Sequence, residues 1–279
     1  MRSMKSKASK NHDLPALSDG HTRVIPNPSA GISLRNPILL AGFPDSGMIG
    51  SVTINHLIEQ LDMHQIASVE SEYVMPAAIF IGKRFRHPFR IYANGSGEVC
   101  ALICEVPVIA RGTHSIINTV VEWCATAGQV REIVVLGGIL PTNFSPPYLR
   151  NRKALVLRNE QPPDRAGRNS GGDIGGMSVP DDAVIVGLAG SLLSTCAAKG
   201  IRCTGLMIPT VSEAPDPEGA AIILESLPKL AAGLRTDTSL LRQKAELIKK
   251  HLEEFLRMHQ QQMRDDERGS SRETGGMYK

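Results

Sequence analysis

The hydrophobic pattern opens on a compact apolar run, Pro37–Gly42 (PILLAG), closed by glycine, which predicts a buried strand. The glycine-rich stretch Gly42-Phe-Pro-Asp-Ser-Gly-Met-Ile-Gly50 follows, and then Val52, Ile54, Leu57, Ile58 and Leu61 recur at helical spacing. This region therefore reads as strand, glycine turn, helix. Further apolar runs predict strands at Ala78–Ile81, Arg90–Tyr92, Val99–Cys104, Ile133–Leu136, Ala154–Leu157, Val184–Leu188 and Thr204–Ile208. Helical patterns at His114–Thr126, Ser191–Lys199 and Pro217–Leu230 fall between several of them. Near-continuous apolar strands separated by helices point to an α/β sheet covered on both faces. The link ANGSGE between Arg90–Tyr92 and Val99–Cys104 contains Asn-Gly and suits a hairpin, so the sheet is expected to be mixed rather than wholly parallel.

Residues 159–178 (NEQPPDRAGRNSGGDIGGMS) lack periodicity and are dense in glycine, proline and charge, as expected of a long surface loop. The strands on either side of it are too few for two cores. The expected fold is therefore one three-layer α/β/α domain with a mostly parallel or mixed sheet over residues 36–237. Residues 1–35 are polar and carry Pro15, Pro26 and Pro28, which predicts a mobile N-terminal arm. A C-terminal helix is expected over 238–263, where Leu241, Ala245, Ile248, Leu252 and Phe255 follow a coiled-coil seam of about two heptads. Such a helix can dock on its own domain or pack against a copy of itself in an oligomer. Residues 264–279 (RDDERGSSRETGGMYK) are expected as a charged, flexible tail.

Composition narrows the function classes. The 279 residues carry 31 basic and 28 acidic side chains, a net charge of +3, and only 4% aromatics. That balance gives no electrostatic case for nucleic acid or an anionic membrane, and too few rings for a base-stacking platform. No run of 18 apolar residues offers a membrane span, and the basic N-terminus lacks the apolar core of a secretory signal. The five cysteines, Cys100, Cys104, Cys124, Cys196 and Cys203, form no C-x-x-C pair and lack the partners of a metal site. They are expected as buried free thiols of a cytoplasmic protein, with Cys100 and Cys104 on one face of a strand.

Candidate chemistry is sparse. Gly42, Gly47 and Gly50 lie between a strand and a helix, where backbone N–H groups can face a phosphate. The turn lacks the Gly-Lys-Ser/Thr of a P-loop and the G-x-G opening of a dinucleotide fingerprint. The competing role for these glycines is close helix–sheet packing. Gly137 and Gly138, after the strand Ile133–Leu136, would line the carboxyl edge of the sheet and keep a pocket, real or vestigial, in play. Ser46 lacks the G-x-S-x-G of a nucleophile elbow, and Glu105 and Glu122 have no visible partner. His114 begins a helix that Thr113 could cap. Asp216 before Pro217 reads as a helix N-cap, with Glu218 favourable to the dipole. Nucleophile, base and orienter do not declare themselves together, so no catalytic, metal or cofactor residues are assigned. The chain ends in Met277, Tyr278 and Lys279. A tethered end of this kind can bring its carboxylate to a lysine while the ring and the apolar side chain bury surface beside it.

Four segments carry a family resemblance: GFPDSGMIGSVTINHLIEQL (42–61), REIVVLGGILP (131–141), VGLAGSLLSTCAAKGIRCTGLMIPT (186–210) and PDPEGAAIILESL (215–227). In this order they resemble the proteasome assembly chaperone family, specifically its archaeal homologues, over roughly residues 36–250. Asp45 and Ile49 depart from the family's Gly-Phe-Pro-Gly-x-Gly-x-Val-Gly opening. The loop 159–178 and the 35-residue arm are longer than that family's pattern. The resemblance implies a phosphorylase/hydrolase-like fold without catalysis, not an enzyme, and a homo-oligomer. It also implies a C-terminal hydrophobic–tyrosine–any-residue motif, here Met277, Tyr278 and Lys279, that binds proteasome α-subunits of the 20S core without ATP. The alternatives are a small-molecule hydrolase or phosphorylase-like enzyme using the glycine-turn pocket, and a scaffold for a different protein partner.

Overall fold

The computed structural model describes residues 17–18, 20–81, 83–140, 152–159, 177–180, 182–211, 214–248 and 250. In chain order the first half contains β1 (Leu17–Ser18), β2 (Thr22–Pro26), β3 (Ile38–Gly42), α1 (Ile49–Gln60), β4 (His64–Ser71), β5 (Ile79–Ile81), β6 (Arg84–Arg86) and β7 (Phe89–Ala93). The second half contains β8 (Val99–Cys104), α2 (Thr113–Ala125), β9 (Glu132–Ile139), β10 (Leu155–Arg158), α3 (Gly187–Lys199), β11 (Cys203–Pro209) and α4 (Pro217–Ser226).

Among the described residues the main sheet has nine strands in the order β1-β2-β4-β7-β8-β3-β9-β11-β10. Its centre, β8-β3-β9-β11, is parallel, while β10 joins one side and β7, β4, β2 and β1 the other by antiparallel pairing. The central strands are buried almost throughout, as strands covered on both faces must be. Alternation sends Leu39, Ala41, Ile133 and Val135 to the core shared with Ile116, Val120 and Trp123 of α2 and Leu192 of α3. On the opposite face Gly42 lies against Gly50 and Ile54 of α1, which packs on α4. The single α/β domain with a large mixed sheet is thus the expected architecture.

The Asn-Gly hairpin between β7 and β8 forms as expected. The Asn94 side chain accepts hydrogen bonds from the amides of Glu98 and Val99, both 3.1 Å, and Gly97 takes φ +73°. Asp216 caps α4 by accepting from the Gly219 amide at 2.9 Å. All five cysteines are buried and unpaired, and Cys100 and Cys104 share one face in the same core.

Four expectations are corrected. Thr22–Pro26, inside the stretch expected as an arm, is a strand of the sheet. Thr22 and Val24 point inward, and the Thr22 hydroxyl meets those of Ser71 and Ser115 at 2.9 and 2.7 Å. Ala78–Ile81 does not join the main sheet, because among the described residues Ile79–Ile81 pairs with Arg84–Arg86 in a separate two-stranded ribbon. Val184–Leu188 is not a strand. Gly187 turns at φ +70° into α3, and Val184 and Val186 stay exposed and pair with no strand among the described residues. Thr113 does not cap α2, which begins at Thr113 itself and has Gly112 at the cap. Sequence periodicity also overlooks β4, whose polar residues His64, Gln65, Ser68 and Ser71 mask its pattern.

The chain divides into two compact units, Met1–Asp237 and Thr238–Lys279. In the second, residues 239–248 are helical, and Ile248 of the predicted seam is exposed. Leu252, Phe255 and the remainder of the helix expected to 263 lie outside the described residues, as do residues 160–176 of the loop expected at 159–178. Of that loop's end, Met177 is buried and Ser178 bridges to Leu155.

A buried ion pair ties the antiparallel wing to the parallel centre. Arg90 of β7 is fully buried and donates to the His87 carbonyl at 2.5 Å and to the Glu105 carboxylate. Glu105 in turn accepts from Asn55 of α1 at 3.1 Å. Removing one member strands the other charge without water, whereas apolar replacement of both avoids that cost. Glu105→Ala should therefore lower unfolding free energy by about 3 kcal/mol. The double variant Arg90→Met/Glu105→Leu should recover most of it. Urea denaturation midpoints of the three proteins check the order.

Candidate functional site

Strand β3 leads through α1 toward β4 and β7, whereas its neighbour β9 leads toward β11 on the other side. The carboxyl ends of β3 and β9 therefore form a topological switch point, the place where open α/β sheets hold ligands. The turn after β3, with Asp45, Ser46 and Gly47, and the Gly137-Gly138 pair of β9 converge there.

All five glycines singled out from the sequence meet in this region, and backbone or the chain's own side chains fill the space beside them. A Cβ at Gly42 would lie 2.3 Å from the Gly50 carbonyl oxygen, and one at Gly50 would lie 2.5 Å from that of Leu136. At Gly138 it would lie 2.0 Å from the Ser46 carbonyl oxygen, and at Gly137 2.2 Å from an Asp45 carboxylate oxygen. Gly47 takes φ +68°, a conformation that suits glycine, and Met48 follows at φ +48° before α1 begins. This double left-handed turn swings the Asp45 side chain back over the helix start.

The Asp45 carboxylate accepts from the Gly138 amide at 2.6 Å and from the Gly50 amide at 3.3 Å. Those amides, at the helix N-terminus and the strand end, are the groups that would face a bound phosphate. The chain's own carboxyl group occupies their focus, so an external anion would have to displace it. Burial raises the Asp45 carboxyl from 3.8 to about 7, and the amide hydrogen bonds of Gly138, Gly50 and Ile49 hold it from rising further.

A second polar cluster adjoins the turn. The Asp216 amide donates to the Gly47 carbonyl at 2.8 Å, and the Thr210 hydroxyl donates to the Asp216 carboxylate at 3.2 Å. Arg152 pairs with Asp216 and, at 2.8 Å, with Glu218. Burial pushes the Asp216 carboxyl upward, but Arg152, the Gly219 amide and Thr210 outweigh it and hold it below the ordinary range. Asp216 is thus a cap and an anchor in one.

The glycine cluster was legible from spacing alone. Asp45 and Arg152 were not assigned roles in it. An acid between proline and glycine at a strand-to-helix turn is a usable signal for the first. Arg152 meets Asp216 only through the fold. Ser46, Glu105 and Glu122 do not assemble into one constellation: Ser46 contributes its carbonyl to the glycine packing, Glu105 pairs with Arg90, and Glu122 caps the end of α2 through its carbonyl. Met277, Tyr278 and Lys279 lie outside the described residues. Among the described residues, no group of three or more His, Cys, Asp or Glu side chains could hold a metal ion, and no helix is long and apolar enough to cross a membrane.

The family model described as the PAC2 family matches residues 39–256, a span that includes both clusters. The chain belongs to the PAC2 family. It is 25% identical over 237 residues to an uncharacterised protein of Methanocaldococcus jannaschii, covering 84% of this chain and 91% of that one. Two solved structures share the PAC2 fold. Pyrococcus furiosus PbaA, described as an archaeal homologue of proteasome-assembly chaperone, is 22% identical with a TM-score of 0.69, over 93% of this chain and all of that one (100%). Pyrococcus furiosus PbaB, described as an archaeal proteasome activator, is 19% identical with a TM-score of 0.65, over 84% of this chain and 98% of that one. The family expected from the four motifs is therefore the family found.

The folded Asp45 value lies above the unfolded one, so its stabilising contribution is fully present below about 3.8 and is lost as pH rises through about 7. Asp45→Asn cannot ionise. Relative to wild type it should gain about 2 kcal/mol between pH 5 and pH 8, read from urea unfolding at each pH. Gly138→Ala should accumulate little folded protein. Gly95→Ala, whose Cβ would meet nothing within 4 Å, should unfold at the wild-type midpoint.

Proposed function

We propose that this chain is an ATP-independent proteasome-binding scaffold, an assembly chaperone or activator of cytoplasmic location. In it a homo-oligomer of the α/β body presents several C-terminal tails to the α-ring of the 20S core. The observation that carries this is PAC2 membership joined to a shared fold with PbaA and PbaB, whose descriptions name proteasome assembly and activation. Met277, Tyr278 and Lys279 supply the contact in this reading. The terminal carboxylate pairs with a pocket lysine, Tyr278 packs on the pocket wall and Met277 fills an apolar recess. Display of several tails by one oligomer offsets the entropy of ordering each of them. Five free, buried thiols suit a reducing compartment.

The glycine-rich switch point belongs to the scaffold rather than to catalysis in this reading. Its amides are taken up by Asp45, which favours a vestigial pocket at Gly42, Gly47, Gly50, Gly137 and Gly138 over the hydrolase or phosphorylase alternative.

Deleting Met277–Lys279, or Tyr278→Ala, should leave the far-ultraviolet spectrum and the oligomer mass unchanged. It should lower capture of purified α-rings at least tenfold. Equal capture by the truncated chain would overturn the tail mechanism. Stabilisation of the protein by nucleosides or phosphates in a thermal-shift screen would favour the enzyme alternative.

A further inference from the structure

The ribbon of β5 and β6 stands apart from the main sheet and presents two faces of different character. Ile79 packs toward the core, so the alternate positions point away from it. There Phe80 and Phe85 are direct cross-strand partners with ring centroids 5.0 Å apart, yet they are 61% and 77% exposed. A tilted aromatic pair left in water on a short ribbon is an exposed apolar knob. Its surroundings are cationic. Lys83, Arg84 and Arg86 lie in the ribbon, and no acidic residue occurs between Glu72 and Glu98.

A cavity of about 510 Å³ opens at the root of the same ribbon. Val74, Met75 and Pro76, which lead into the ribbon, line it together with Pro88, which leads out, and Glu70 and Glu72 form a further wall. Met75 and Ile109 extend the apolar surface beside it: each is about half exposed, and they lie on neighbouring backbone segments bridged by Val74 and Val108. Glu70 is paired with Arg23 and Glu72 with His21, but an ionised carboxylate offers about four acceptor sites and can take a further cation. Knob and cavity therefore share one root, with three cations in the ribbon and, in the cavity wall, two glutamates partly offset by Arg23, His21 and His87. That is the requirement for an isologous two-fold contact, in which each copy offers the same patch and receives it. The volume lies inside the range of about 300–1,000 Å³ seen for pockets that bury small ligands, larger than one phenyl ring.

We propose that the Phe80–Phe85 ribbon of one copy seats in the cavity at the foot of the ribbon of a second copy, and reciprocally. Lys83 and Arg84 then face Glu70 and Glu72 across the two-fold axis. The contact rests on the homo-oligomer reading above and names the surface that builds it. The aromatic pair is the anchor and the charges set orientation.

The test compares masses by light scattering across a dilution series for the full chain and three variants. Phe80→Glu/Phe85→Glu changes only exposed side chains and should keep the wild-type far-ultraviolet spectrum while raising the dissociation constant at least about thirtyfold. Lys83→Glu/Arg84→Glu and Glu70→Lys/Glu72→Lys should each dissociate alone and reassociate when mixed, because the mixture restores opposite charges. A wild-type chain that is monomeric throughout overturns both this contact and the homo-oligomer reading. A wild-type oligomer that survives Phe80→Glu/Phe85→Glu overturns this contact alone. Flotation with phosphatidylserine vesicles that is lost in the phenylalanine variant, with the oligomer intact, would assign the ribbon to a membrane surface and also overturn it.

Discussion

The structure depends on how closely β3, β9 and the start of α1 approach one another at the switch point. Three carbonyl oxygens, of Gly50, Leu136 and Ser46, occupy the positions that a side chain at Gly42, Gly50 or Gly138 would need. Backbone approaching backbone this tightly leaves amides that water cannot reach, and each such amide requires an acceptor. Asp45 supplies one for Gly50 and Gly138 together. The steric demand for glycine and the demand of these amides for an acceptor are two sides of one constraint.

That constraint spreads through Gly47. Its positive φ turns the chain toward α1, and its carbonyl receives the Asp216 amide, so the first helix and the last helix of the body share one joint. Arg152 closes the joint from the side of the β9–β10 connection by holding Asp216 and Glu218. At the opposite wing Arg90 and Glu105 play a comparable role through a single buried pair. The body is thus fastened at two places by charge buried in specific geometry, with ordinary apolar packing between them.

How much could be read from the residues alone varied with the physics that carried each signal. Strands buried on both faces, such as Val99–Cys104 and Ile133–Leu136, announce themselves because the whole run is apolar. The Asp216-Pro217 helix start and the Asn-Gly hairpin are legible because each depends on local chemistry. The outer strands are not, since β4 hides its periodicity behind His64, Gln65, Ser68 and Ser71, and Thr22 of β2 meets Ser71 across the strands. Val184–Leu188 misleads in the other direction: an apolar run reads as a strand when no neighbour is free to receive it. At the site, glycine spacing located the joint, but Asp45 required knowledge of where β9 ends and Arg152 required the closure of 64 residues of chain.

The position of β3 has a consequence for synthesis. It lies at the middle of the parallel centre, yet one of its neighbours, β9, is nearly a hundred residues downstream. At about 5–20 residues per second, β3 leaves the ribosome several seconds before that edge can be covered. Until then its fully apolar ILLAG segment can pair with any extended strand nearby. The amphipathic α1, made immediately afterwards, is the first element able to shield one face of that segment, so the glycine turn that lets it fold back also limits misassembly on the growing chain.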